Sequence, residues 1–133
     1  MRWLMVPILL LTAGCSSEWT RDRDYNTQLH NIYPANYRPE IVALMRTYLN
    51  DPTGVRDAFV SVPAQRNIDG ANRYVSCVRY NARNSAGRYA GSKDSLVLFR
   101  GGRLDHVLDN DTARDQCRSA TYEPFPELHQ LSR

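Results

Sequence analysis

The chain has 133 residues, with 17 basic side chains against 14 acidic ones and a formal net charge of +3. This length allows one domain with its own core. The charges alternate along the chain and do not form the basic stripe of a nucleic-acid-binding protein, so we predict no nucleic-acid partner. The sequence contains no GxSxG, HExxH, P-loop or GxGxxG motif, and therefore points to no catalytic residue and no cofactor.

The first fifteen residues have the parts of a secretory signal. Arg2 supplies a positive charge, residues 3–11 are apolar, and the small residues 12–14 lead to Cys15. The apolar run is much shorter than the roughly 20 residues that a membrane-spanning helix needs. An ordinary cleaved signal, in which Cys15 is a chance residue, is the main alternative.

The segment Leu11-Thr12-Ala13-Gly14-Cys15 resembles the lipobox of bacterial lipoproteins. In that family the cysteine receives a diacylglyceryl group and the chain is cleaved in front of it, which implies a signal peptide over residues 1–14 and lipidation of Cys15. Thr12 departs from the leucine that the family prefers there. Ser16 stands where an aspartate retains such proteins at the inner membrane of enteric bacteria. The resemblance thus implies a lipid-anchored envelope protein that faces the periplasm, with the outer membrane favoured.

The number of cysteines is odd, which needs an explanation in an exported protein. Lipidation of Cys15 leaves Cys77 and Cys117, and we predict a disulfide between them because the bacterial periplasm is oxidising. Two unrelated buried thiols are the alternative. No CxxC or paired-histidine spacing completes a zinc site. The aspartates at positions 109, 111 and 115 resemble the start of a calcium loop, but Ala113 and Arg114 stand where that loop needs an oxygen ligand and a glycine. Helix capping accounts for the first two aspartates, so we predict no metal.

The segment after Cys15 predicts a tether and then a helix. Residues 16–35 are polar without sustained periodicity, which is typical of a flexible tether. We therefore divide the mature chain into a lipidated cysteine with its tether, residues 15–35, and a single domain, residues 36–133. Apolar residues recur at helical spacing from Ile41 to Leu49, which predicts an amphipathic helix that ends before Pro52.

Two strands are predicted after this helix. Residues 55–62 are rich in β-branched residues and partly alternate in polarity. The second strand, residues 73–81, places on one face Val75, Cys77 and Arg79, and on the other Tyr74, Ser76, Val78 and Tyr80. The polar residues 64–72 between them predict a loop, with Asp69-Gly70 as its turn. Residues 84–91 predict a further loop that presents Tyr89.

A hairpin is predicted next, because residues 95–100 and 103–108 flank two glycines, Gly101-Gly102. A two-residue turn pairs Arg100 with Arg103, Phe99 with Leu104, Leu98 with Asp105, Val97 with His106 and Leu96 with Val107. Asp105 and His106 are neighbours in a strand and should point to opposite faces, so we do not expect them to form a base and its orienting carboxylate.

The C-terminal part predicts a short helix capped by residues 109–112, which carries Cys117 toward the strand of Cys77. The tail is expected to dock Phe125, Leu128 and Leu131 on the core. Together these elements predict an α+β domain, with one N-terminal amphipathic helix packed on a small antiparallel sheet of about four strands and closed by the disulfide.

Arginines and tyrosines provide the candidate interaction surface, because both residue types are enriched at binding hot spots and arginine grips carboxylates with two bonds. The set consists of Arg73, Tyr74, Arg79, Tyr80, Arg83, Arg88 and Tyr89. An ordinary solvated strand face is the alternative. We therefore predict a non-enzymatic binding or scaffolding module whose partner is an envelope protein or peptidoglycan. The rival prediction is a cell-wall-directed enzyme or an enzyme inhibitor.

The domain itself resembles small uncharacterised lipoproteins of α-proteobacteria over about residues 33–131. That resemblance implies the domain bounds and the cysteine pair, and it implies no activity or ligand. It rests on Tyr33-Pro-Ala-Asn-Tyr37 through Leu49-Asn-Asp-Pro-Thr-Gly-Val55, Tyr74-Val-Ser-Cys-Val78, Asn81-Ala-Arg-Asn84, Tyr89-Ala-Gly91 and Phe99-Arg-Gly-Gly-Arg103.

Overall fold

The computed structural model describes residues 18–131 and has the predicted α+β class. The predicted signal peptide and Cys15 lie outside these residues. The elements in chain order are α1 (Glu18–His30), α2 (Tyr37–Tyr48), β1 (Asp51–Ser61), β2 (Ala64–Ile68), β3 (Ala71–Arg83), β4 (Lys93–Arg100), β5 (Arg103–Leu108), α3 (Asp111–Cys117), β6 (Tyr122–Pro124) and α4 (Pro126–His129).

The strands form one antiparallel sheet in the order β5-β4-β3-β1-β6, and β2 also pairs with β3. Within residues 18–131 it has six strands, more than the four predicted, and four helices accompany it, whereas the sequence predicts the amphipathic helix and the short helix that carries Cys117. Strand β2 lies in the predicted loop 64–72. Four of its five residues are at least partly exposed. Its sequence therefore lacks the alternation of polar and apolar residues that marks a half-buried strand. Asp69 and Gly70 form the turn, as predicted, with φ of 51° and 84°.

One face of the sheet, which we call the inner face, packs against α2 and α4. The predicted stripe of α2 is confirmed, since Ile41 and Met45 are fully buried. They form a cluster with inner-face residues of β1, β3 and β4. The tail docks on the same cluster through Phe125, Leu128 and Leu131, which are all buried, as predicted.

The opposite face, the outer face, is covered in part by α3. Asn110 caps this helix by accepting a hydrogen bond from the backbone N–H of Ala113 at 3.3 Å. The disulfide between Cys77 and Cys117 is confirmed, and it joins α3 to the central strand with a Cα–Cα distance of 5.6 Å. The predicted disulfide thus lies in the cluster of buried apolar residues between α3 and the outer face.

Helix α1 occupies much of the segment for which the sequence predicts a flexible tether, residues 15–35. Residues 21–28 are exposed on every side, so no hydrophobic period marks the helix in the sequence. Its C-terminal end is attached to the β4–β5 turn, where the carbonyl of Leu29 accepts from the N–H of Gly101 at 2.9 Å. Within residues 18–131 no helix is long and apolar enough to cross a membrane.

The chain that follows α1 is seated against the same turn. Gly102 has a φ of +73°, and a Cβ at this position would lie 2.8 Å from Cγ2 of Ile32. Both the left-handed backbone and this close approach require glycine. The Gly-Gly pair therefore forms the hairpin turn and also makes room for the segment between α1 and α2.

The β4–β5 hairpin contains a bulge that changes its predicted register. Arg100 pairs with Arg103 and Phe99 with Leu104, as predicted, but Leu98 pairs with His106 because Asp105 is an extra residue in β5. A bulge locally breaks the alternation of side chains. Nδ1 of His106 consequently lies 3.1 Å from Oδ2 of Asp105, so the prediction that these two side chains stay apart is wrong.

Candidate functional site

Half of the outer face carries exposed arginines and aromatic rings. In β1 and β3, Phe59 lies opposite Arg79 and Arg56 lies opposite Asn81, and directly opposite residues of an antiparallel pair point to the same side. Helix α3 packs mainly on β4, which leaves Phe59 37% exposed and the Arg79 side chain 40% exposed. We call this region the open sheet face; it consists of Arg56, Phe59, Arg79, Asn81, Arg83, Tyr89 and Tyr122.

Arg79 is held in one orientation by three contacts. It donates two hydrogen bonds to Asp94, at 2.8 and 3.1 Å, and its guanidinium lies 4.4 Å from the ring centre of Tyr122. The hydroxyl of Tyr122 donates to the same carboxylate at 3.0 Å. Burial, followed by the nearby charge of Asp94, raises the pKa of Tyr122. The hydroxyl therefore remains a donor, and one edge of the guanidinium does not face Asp94.

Tyr89 organises a second group of side chains. The guanidinium of Arg56 lies 3.8 Å and that of Arg83 5.3 Å from its ring centre. The hydroxyl donates to the carbonyl of Gly54 at 2.6 Å. Gly54 has a φ of +68°, and an added Cβ would lie 3.2 Å from that hydroxyl oxygen. The loop thus presents Tyr89, as predicted, and places it over β1; Arg83 also pairs with Asp51 at 3.6 Å.

The open sheet face has a positive balance of charge. Arg56, Arg79 and Arg83 accompany two carboxylates, those of Asp51 and Asp94. Cation–π contacts of partly exposed arginines are worth about 0.5–1 kcal/mol each, and they favour the observed positions of these side chains. Such a face can bind carboxylates through bidentate contacts, and Phe59 adds apolar area beside them.

The structure does not bring the predicted arginines and tyrosines together on one surface. Tyr80 is only 1% exposed on the inner face, and its hydroxyl oxygen lies 3.2 Å from that of Ser95. Burial raises the pKa of Tyr80. Tyr74 lies on the same side and packs edge to face with Tyr33, with ring centres 5.4 Å apart. The two-residue period of β3 therefore places both tyrosines on the face opposite Arg79, where they belong to the core or pack against it.

Arg73 has a structural role at the other end of β3. Its side chain is 12% exposed and donates to Asp105 at 2.7 Å and to the carbonyl of Phe99 at 3.1 Å. The hydrogen bond from Arg73 is the main reason why the pKa of Asp105 is lowered. Arg88 is exposed in the loop beside Tyr89. Of the predicted set, only Arg79, Arg83 and Tyr89 belong to the open sheet face.

Sequence reasoning missed the other four residues of this face, Arg56, Phe59, Asn81 and Tyr122. The register of β1 shifts twice along β3, and Gly54 and Asp57 adopt φ of 68° and 51° within the strand. The predicted strand begins at residue 55, and no local pattern in the sequence shows that β1 starts at Asp51 and continues through Gly54. Tyr122 reaches the face through β6, which is only three residues long.

Within the described residues, no cluster of three or more His, Cys, Asp or Glu side chains could hold a metal ion. Compared with known protein families, curated protein sequences and solved structures, the chain matches none of them, so its function has to be argued from the contacts described above.

Proposed function

We propose that this protein is a lipid-anchored component of a bacterial cell envelope that binds an acidic partner protein through its open sheet face and does not catalyse a reaction. The lipobox resemblance and the odd number of cysteines support the location, because lipidation of Cys15 would account for both. The Cys77–Cys117 disulfide supports it as well, since disulfides persist in oxidising compartments such as the periplasm. The outer membrane is favoured by Ser16.

The observation that carries the binding function is the rigid arrangement of the arginines. Arg79 is fixed by Asp94 and Tyr122, and Arg56 is stacked on Tyr89. Ordering a flexible side chain on binding costs about 0.5–1.5 kcal/mol, and side chains that are already ordered avoid much of this cost. A pre-arranged set of cations beside exposed Phe59 suits an acidic protein surface with an apolar centre.

The anchor can be tested with Cys15→Ser. We expect this variant to move from the membrane pellet to the supernatant of a carbonate wash, because a protein that has lost its acyl chains has lost the anchoring free energy of about 0.8 kcal/mol per buried methylene. Ser17→Ala is the matched control and should stay in the pellet. Retention of Cys15→Ser in the pellet would contradict lipid anchoring at this residue.

The binding face can be tested by photo-crosslinking in intact cells. With p-benzoylphenylalanine in place of Phe59, we expect crosslinks to a protein with an acidic surface. The same substitution at Tyr25, which is 61% exposed on α1, is the matched control. Adding Arg56→Gln should reduce the yield from position 59 several-fold, whereas Arg46→Gln on α2 should not.

Three outcomes would contradict the proposal. Equal crosslinking from positions 59 and 25 would show that the open sheet face has no preferred partner. An Arg56→Gln variant with undiminished yield would show that its charge is not used. Crosslinks to glycan strands alone would replace the protein partner by peptidoglycan.

A further inference from the structure

A polar cleft of about 270 Å³ lies where the end of α2 meets the ends of β3 and β4. It is separate from the open sheet face and shares only Arg83 with it, a side chain already occupied by Asp51 and Tyr89. The volume is just below the roughly 300–1,000 Å³ typical of pockets for drug-sized ligands. The polar side chains that line it, apart from Arg83, are Tyr48, Asn50, Tyr80, Asn84, Lys93 and Asp109.

Lys93 supplies a positive charge to this cleft. It is the single lysine of the chain, and it lies opposite Tyr80 in the sheet, so its side chain points toward the inner side. Within residues 18–131 its ammonium takes part in no ion pair, although Asp109 lines the same cleft. A cation in a concave site with no protein carboxylate bound to it can accept an anionic group from a ligand.

Asp109 supplies a negative charge to the same cleft. Its Oδ2 accepts a hydrogen bond from the hydroxyl of Tyr48 at 2.9 Å. Burial, followed by the hydrogen bond to Asp109, raises the pKa of Tyr48, so the hydroxyl remains a donor. Tyr48 thereby orients the carboxylate, and the residue stays exposed, so Oδ1 can accept from a ligand.

We infer that this cleft binds a small zwitterion, a free amino acid or a dipeptide, with the ligand carboxylate at Lys93 and the ligand ammonium at Asp109. Two opposite charges that line one cleft without contacting each other are complementary to a molecule that carries both charges. The side-chain amides of Asn50 and Asn84 lie in the same lining and can bond a peptide group. This site goes beyond the proposed function, which does not use it.

Alanyl-alanine is a suitable probe, and the single lysine gives a local readout. Labelling the full-length chain in detergent with 15N-lysine yields one backbone amide resonance, that of Lys93. We expect this resonance to shift saturably, with a Kd of about 1 mM, as for a weak ligand of this size. N-acetylation or C-terminal amidation of the dipeptide removes one charge-assisted contact each and should weaken binding at least about tenfold.

Exposed variants test the two charges without disturbing the core. Asp109→Asn keeps an acceptor for Tyr48 and should weaken binding at least about tenfold in the Lys93 titration. Asp115→Asn, at an exposed position of α3, is its control and should leave the Kd unchanged. Lys93→Gln removes the labelled residue, so its loss of binding is measured by calorimetry, with Arg118→Gln as control.

The inference is overturned if the Lys93 resonance does not shift saturably, if the acetylated or amidated dipeptide binds equally well, or if Asp109→Asn has the Kd of the unmodified protein. Failure here can be separated from failure of the proposed function. Arg56→Gln should leave dipeptide binding intact, and Asp109→Asn should leave the crosslinks from position 59 intact.

Discussion

Replacing both disulfide cysteines, Cys77→Ala and Cys117→Ala, is expected to lower the free energy of unfolding by about 3–4 kcal/mol. The bond closes a loop with a sequence separation of 40, which restricts the unfolded chain. It also attaches α3 to the sheet, and a helix of seven residues is too short to be stable by itself. Both cysteines are almost fully buried, so alanine is a suitable small apolar replacement.

Urea unfolding of the oxidised protein, the reduced protein and the double variant measures this loss. The reduced protein and the variant should have nearly the same midpoint, well below that of the oxidised protein. A reductant should not change the midpoint of the variant, which controls for its other effects. Equal midpoints for the oxidised protein and the variant would contradict a stabilising role of the bond.

Phe125→Ala is expected to destabilise the protein by about 3–5 kcal/mol, the range for removing a buried aromatic ring. Phe125 is fully buried in the hydrophobic cluster between the inner face of the sheet and α2. The guanidinium of Arg38 lies 5.0 Å from its ring centre, and the backbone N–H of Phe125 donates to the carbonyl of Ala58 at 2.9 Å. The ring therefore holds the C-terminal segment against both α2 and β1, and its loss leaves a cavity between these elements.

Phe59→Ala is the matched control, because this phenylalanine is 37% exposed on the outer face. Its loss should cost less than about 1 kcal/mol, as for other surface substitutions. Thermal and urea unfolding of the two variants under the same conditions give the comparison. Similar losses for both would mean that the tail does not contribute to the core as described.

The spacing of apolar residues and the number of cysteines predict the centre of the fold correctly. The stripe of α2 repeats at helical spacing over slightly more than two turns, so Ile41 and Met45 can be assigned to the core without knowledge of their neighbours. The disulfide follows from the number of cysteines and the expected compartment. Phe125 and Leu128 were predicted to dock because they are large apolar residues in a polar tail.

The rest of the fold depends on contacts between distant parts of the chain. Strand β2 and helix α1 are too exposed for their apolar residues to mark a period, and no local pattern in the sequence marks the bulge at Asp105. The open sheet face depends on the irregular register of β1 and β3. A local concentration of arginine and tyrosine in β3 predicted a surface, but alternation along the strand assigns Tyr74 and Tyr80 to its opposite side.

Helix α1 also affects the distance between the proposed lipid anchor and the domain. Its 13 residues span about 20 Å at 1.5 Å per residue, and its far end is bonded to the hairpin turn through Leu29 and Asn26. With the proposed lipid on Cys15, we expect a helical linker between the membrane and the domain instead of a flexible tether. A flexible tether lets a domain sample many distances from the bilayer, whereas a helical spacer narrows that range. We therefore expect the open sheet face to meet partners whose acidic surfaces lie within a narrow range of distances from the bilayer.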